Sequence, residues 1–230
     1  MDVYWSQPLI AEEFTDLLIE PLDNLLLDCK KRKDVNFGKY LKCYSAISEL
    51  KNTFIFRSPF DLGLKISKYG LQTDRYGQNF AENIYHHADE NCFTLLLNIY
   101  FFSENYLKVE QMPPIYHESP FNKDFYFSAG SFDISSWFRP FQPGFIHKDL
   151  NQEKIINIKK GDPLAYFKFH TDEGINFIEY ETTETLIKFS MNCASYKIFK
   201  PKTPLKILYE NFNKRSYSKK ILAEIKNNLI

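Results

Sequence analysis

Residues 127–170, FSAGSFDISSWFRPFQPGFIHKDLNQEKIINIKKGDPLAYFKFH, carry the reading of the fold class. Short β-type runs (FIHKD, EKIINIKK, LAYFKFH) are separated here by an aspartate, a Trp-Phe-Arg-Pro corner and a Gly-Asp-Pro turn. Proline has no N–H for a ladder and glycine and aspartate accept turn geometry, so these residues stop strands or occupy their edges. The same texture extends in both directions, through TFIFRS, LGLKIS, TLLLNIYFF, YLKVEQM and KDFYFSA before it and INFIEY and TLIKFSM after it. Roughly ten such runs in about 140 residues predict a mainly β chain, an antiparallel sandwich that is jelly-roll-like or β-clip-like. TLLLNIYFF is apolar on both alternating faces and reads as a central strand covered on both sides, whereas LKVEQ and INIKK alternate and should face water on one side.

The ends read differently. Residues 1–39 form an N-terminal arm in which Phe14, Leu17, Leu18, Leu22, Leu25 and Leu26 mark helical turns interrupted by Pro21. The basic run KKRKD at 30–34 reads as a solvated connector. YLKCYSAISELKN, 40–52, has the spacing of one short amphipathic helix packed on the sheet that follows. Residues 40–200 then make the β-rich domain, with a polar excursion at 71–92, and residues 201–230 return to helical spacing. Ile207, Leu208 and Phe212 share one face, Ile221, Leu222 and Ile225 another, with Ser216 or Ser218 placed to cap the last helix.

Composition excludes several classes. The 29 basic and 29 acidic side chains cancel, so the whole-chain field gives no strong nucleic-acid or anionic-membrane signal. Cys29, Cys43, Cys92 and Cys193 are far apart with no Cys-x-x-Cys pair, which reads as ordinary thiols of a reducing compartment. The start, MDVYWSQPLIAEEF, lacks a basic n-region and an apolar h-region, and the longest apolar runs are about half the ~20 residues a spanning helix needs. A soluble, cytoplasmic protein is therefore expected. The 22 phenylalanines and 15 tyrosines accompany a Lys, Asn and Ile bias typical of AT-rich codon usage, so aromatic richness alone is no sign of a ligand.

Catalytic motifs are incomplete. His170-Thr171-Asp172 has the His-x-Asp spacing of a non-haem iron site, but no later histidine completes three ligands. Adjacent His86 and His87 would point apart in either regular structure. There is no Gly-x-Ser-x-Gly elbow, phosphate loop or dinucleotide fingerprint. The most specific local group is Trp137-Phe138-Arg139-Pro140 with Asp133, which forms either a braced β corner or one wall of a pocket. Arg57 beside Ser58-Pro59-Phe60-Asp61 has the same two readings.

Two resemblances attach to these residues. YLKCYSAISELKNTFIFRSPFDLGLKI, MPPIY, FDISSWFRP and IKKGDPLAYFKF together resemble an uncharacterised family of tailed-bacteriophage proteins over about residues 40–180. That resemblance implies a phage setting, in the infected host's cytoplasm or in the virion, and brings no activity with it. Locally, FDISSWFRP and IKKGDPLAYFKF are similar to the late part of the trimeric dUTPases, which implies Asp133 as the acidic residue of a nucleoside pocket, Arg139 as its arginine and Gly161-Asp162 as the turn starting the next strand. Pro140 stands where that family has glycine, Tyr166 where it has glutamine, no Arg-Ser-Ser precedes Asp133, and the carboxyl terminus has no glycine-rich arm.

The expectation is a non-catalytic β-rich binding or assembly protein, with a divergent dUTPase-like hydrolase and an iron-oxygenase-like protein as rivals. Asp133, Trp137, Arg139, Asp162 and Tyr166 are the candidate pocket or structural corner. No catalytic set, metal or cofactor is assigned, and the expected partners are further copies of the chain or a phage protein.

Overall fold

The run LAYFKFH becomes the middle of the largest sheet. In the computed structural model, which describes residues 1–7, 22–32, 42–59, 61–67, 70–73, 85–89, 92–96, 98–119, 121–149 and 153–230, Pro163–Phe169 is buried throughout except at Lys168. The described strands are β1 (Asp2–Ser6), β2 (Asp23–Asn24), β3 (Thr53–Arg57), β4 (Leu62–Ser67), β5 (Gly70–Thr73), β6 (Tyr85–Asp89), β7 (Cys92–Leu95) and β8 (Tyr100–Phe102). They continue with β9 (Lys108–Met112), β10 (Phe125–Phe127), β11 (Gly130–Asp133), β12 (Gly144–His147), β13 (Lys154–Ile158), β14 (Pro163–Phe169) and β15 (Asn176–Glu179). The helices are α1 (Leu25–Lys31), α2 (Tyr44–Leu50), α3 (Glu184–Phe199), α4 (Leu205–Lys214) and α5 (Tyr217–Asn227). The chain is mainly β, as the strand spacing predicts.

The strands form four sheets, in the orders β11-β9-β14-β3-β2, β15-β1-β8, β10-β12-β7-β6 and β13-β4-β5. All pairings between them are antiparallel except β1 with β15. Among the described residues no sheet closes into a barrel.

The two-residue period of a strand decides which core each side chain joins. On β3 and β14, Phe54, Phe56, Ala165, Phe167 and Phe169 face the main core, whereas Ile55 and Tyr166, opposite each other in the ladder, face a smaller one with Leu25, Cys29 and Leu50 of α1 and α2. β1 and β8 divide the same way: Val3, Trp5 and Phe101 enter the main core, and Tyr4, Tyr100 and Phe102 face the carboxyl-terminal helices. Those helices answer with Leu186 and Cys193, Leu208 and Phe212, and Ile221 and Ile225, each pair on one helical face. β9 and β13 alternate as predicted, with every second residue buried.

Two expectations from sequence are corrected. TLLLNIYFF is not one central strand: β7 ends at Leu95, Asn98 takes a left-handed φ of 48°, and β8 starts at Tyr100 in a different sheet. TLIKFSM is helical. Thr183 caps α3 by accepting from the Leu186 N–H at 3.3 Å, and the helix then runs to Phe199 because no breaker intervenes before Pro201. The helical ending therefore begins before residue 201. The segment read as an arm contains β1, which lies between β8 and β15; the Pro21 break and the spacing at residues 14–18 lie outside the described residues. No described helix is long and apolar enough to cross a membrane.

Candidate functional site

The five candidate residues divide between two places. Asp133, Trp137 and Arg139 form the corner after β11, beneath the helical layer. Asp133 is buried, and its Oδ1 accepts from the Ser135 N–H (2.9 Å), the Ser135 hydroxyl (2.7 Å) and, more weakly, the Leu107 N–H (3.4 Å). This is an aspartate turn that bends the chain off the strand. Its own N–H donates to the Tyr209 hydroxyl of α4 at 3.1 Å, and Asn213 Nδ2 donates to the Ser136 hydroxyl at 3.2 Å. The bend drives Trp137 and Phe138 into the core beneath the helices, with the Trp137 ring 6.4 Å from Tyr209 and 6.2 Å from Phe212.

Arg139 does not fork onto Asp133: among the described residues it makes no ion pair. Its guanidinium lies 5.9 Å from the Phe132 ring centroid and its buried Nε has no hydrogen-bond partner. Burial lowers its pKa from the ordinary arginine value. The nearby Cys193 thiol is pushed up to about 11, also by burial, so it is an inert core group.

Trp137 borders two depressions. One, about 300 Å³, lies among α3, α4 and the start of α5, with Tyr196, Phe199, Phe212 and Tyr217 as aromatic walls and Asn192, Asn211, Lys200 and Arg215 as polar ones. The other, about 270 Å³, is bounded by Arg139, Phe132, Gln142 and Leu205. The cations of the first depression stand by its rings: Lys200 Nζ is 5.4 Å from the Tyr196 centroid and Arg215 Cζ 6.0 Å from that of Tyr217. Phe199, at 83% exposure, stands almost free at the end of α3.

Sequence reasoning missed this helical wall because it weighed charge over the whole chain. Residues 184–230 hold ten lysine and arginine side chains against three glutamates, a surplus of seven positive charges in a chain whose total is zero. A count by segment finds it.

Asp162 and Tyr166 sit elsewhere. Asp162 closes the turn before β14: Oδ2 accepts from the Lys159 N–H (2.8 Å) and its carbonyl from the Ser58 N–H (2.8 Å), while Gly161 takes the left-handed φ of 89° that the turn requires. Arg57 Nη1 donates to the Gly161 carbonyl at 3.0 Å. The Arg57-Ser58 group is thus a brace for the Gly-Asp turn.

Tyr166, fully buried, belongs to a polar network that no sequence motif announced. The Tyr116 N–H donates to the Tyr166 oxygen at 3.1 Å, so the phenol hydrogen turns to His117 Nδ1 at 2.5 Å, and His117 Nε2–H donates to Asp28 Oδ2 at 3.0 Å. Asp28 also accepts from Arg57 Nη2 at 2.8 Å and forms an ion pair with Arg32, whose Nε is 2.9 Å away, and Arg32 Nη1 donates to the Tyr116 carbonyl at 2.9 Å. Arg32, read as part of a solvated connector, is turned inward instead. Burial, followed by the field of Arg32, lowers the His117 pKa, and burial raises that of Tyr166. The Tyr166 hydroxyl is therefore a neutral structural group held between two partners.

His170 Nε2 meets Glu110 Oε2 at 2.9 Å, and the Asp172 carbonyl accepts from Lys51 Nζ at 2.5 Å, so these two residues end a strand and brace a turn. His86 and His87 fall on β6, opposite Thr94 and Phe93 of β7. Among the described residues no three His, Cys, Asp or Glu side chains gather to hold a metal ion. Compared with known protein families, curated proteins and solved structures, the chain matches none of them.

Proposed function

We propose that the chain is a β-rich binding or assembly protein, acting without catalysis, that engages its partner through the helical layer and the depression at Trp137. The observation that carries this reading is the use of Asp133. A general base must present a free lone pair to a substrate proton. In Asp133 one carboxylate oxygen, Oδ1, is taken up by three donors in the corner, and the residue is buried, which favours a structural use of the group. The tryptophan that the same corner positions borders an aromatic and basic depression. The helices around it leave Met191, Phe199, Leu205 and Ile207 exposed. Resemblance to the tailed-phage family supports an assembly setting, in the infected host's cytoplasm or in the particle.

The test is direct. Purified protein incubated with dUTP and the other deoxynucleoside triphosphates in the presence of magnesium is expected to release no pyrophosphate or phosphate above the protein-free blank. Turnover by the wild type that disappears in Asp133→Asn overturns the binding reading in favour of a hydrolase.

A further inference from the structure

We infer that the depression at Trp137 is a site for single-stranded nucleic acid, with a base lodged against Tyr196, Phe199 and Tyr217 and the backbone phosphates on Lys200 and Arg215. The inference rests on the reading of that depression as the binding surface of the chain, and names its occupant.

Three independent features converge there. The first is the field. The seven surplus positive charges of residues 184–230 are the counterpart of an equal negative surplus in the rest of the chain, so the helical segment is net basic in a neutral chain. Lys188 and Lys226 are paired with Glu184 and Glu104, whereas Lys200 and Arg215 lie over rings and make no ion pair among the described residues. The second is the pairing of cations with flat rings, the combination by which single strands are held: phosphates on the charges, bases on the rings. Phe199 has no packing role that accounts for its exposure, and an exposed ring beside a lysine is a stacking platform. The third is the pair of amides, Asn192 and Asn211, on the wall of the depression. Each carries a donor and an acceptor side by side, the pattern that matches a base edge.

An acidic peptide uses the cations, and its backbone amides match Asn192 and Asn211, but its carboxylate side chains leave the ring faces unmatched. The volume, about 300 Å³, also suits a unit of ligand size rather than a folded partner. A duplex keeps its bases stacked inside and cannot lodge one in the depression, so the single strand is favoured.

The experiment is a fluorescence-anisotropy titration of the full chain with labelled single strands of DNA and RNA of about 12 nucleotides, at ~50 and ~200 mM salt. Saturable binding that weakens with salt and exceeds binding to a duplex of the same sequence is expected. Phe199→Ala should weaken it about fivefold or more and leave the salt slope alone, because a stacking contact carries no counterions. Arg215→Ala should weaken it and lower the slope by about one. Both side chains are exposed, so both variants should keep the wild-type melting curve, and Lys65→Ala on β4 serves as a control that binds like the wild type.

No binding at the lower salt, or binding that neither helix variant alters, overturns the inference. So does a result in which Phe199→Ala and Arg215→Ala change self-association or the binding of an Asp/Glu-rich peptide and leave the oligonucleotide untouched. That last outcome sinks the nucleic-acid occupant and preserves the binding reading, whereas Asp133-dependent nucleotide hydrolysis sinks the binding reading itself.

Discussion

Replacing Tyr166 with phenylalanine removes one oxygen atom from a fully buried site and with it two hydrogen bonds, one accepted from the Tyr116 N–H at 3.1 Å and one donated to His117 Nδ1 at 2.5 Å. The ring remains, so the core keeps its volume and no cavity opens. What is left is a backbone donor and a ring acceptor that have each lost this bond at a part-buried position. Each such orphan costs about 1–3 kcal/mol, so the variant should lose roughly 2–6 kcal/mol of stability. With a urea m-value of about 2 kcal/mol/M the unfolding midpoint should fall by roughly 1–3 M at unchanged m. Tryptophan fluorescence reports the transition, since Trp5 and Trp137 are both buried. A loss smaller than about 0.5 kcal/mol would refute the reasoning, because it would mean that the phenol, imidazole and carboxylate are not coupled in the folded protein. A double-mutant cycle with Asp28→Asn should then show the three groups to be non-additive.

Acidity gives a second measure of the same network. His117 has a lowered pKa in the fold, so below about pH 6.5 the unfolded chain binds more protons than the native one, and the stability present above that pH is lost as pH falls. His147, also lowered by burial and by Lys154, acts in the same direction, so a His117→Asn variant should flatten the pH dependence of the urea midpoint without abolishing it. Ser216 joins α4 to α5 at a left-handed φ of 54° and its side chain caps nothing, so Ser216→Gly should stabilise by about 0.5–1 kcal/mol in thermal melts. Asp133→Ala should cost about 1–3 kcal/mol by orphaning the Ser135 N–H, while Asp133→Asn, which retains an acceptor, should cost less; equal effects on the midpoint would refute the corner role.

Much of the architecture was legible from residue spacing. The alternation in KVEQM and KIINI and the amphipathic faces of Leu208–Phe212 and Ile221–Ile225 depend on neighbours a few residues away, where backbone geometry alone sets direction. The misreadings share one cause. TLIKFSM carries β-branched and aromatic residues that suit either structure, and the Thr183 cap together with packing of Leu186 and Cys193 on the sheet decided for the helix. In TLLLNIYFF the turn fell on Asn98, a residue that tolerates left-handed geometry but does not announce it.

The candidate site was legible only in part. Trp137 and Asp133 stood out because a tryptophan, an arginine and a proline fell beside an aspartate turn, and Trp137 of that corner borders a depression that Asp133 does not line. Arg139, which could stack on a ring or fork onto a carboxylate, lies by Phe132 and not on Asp133, because side-chain direction after a bend is set by what the bend packs against. By itself the sequence determined a mainly β chain with helices at its carboxyl end, since period and turn chemistry are local properties. Tertiary structure alone brought Tyr166 to His117, 49 residues away, and His117 to Asp28, 89 residues away, and gathered Lys200, Arg215 and four aromatic rings around Trp137. Such meetings depend on which strands pair and which helix faces bury, and no short window of sequence contains both partners.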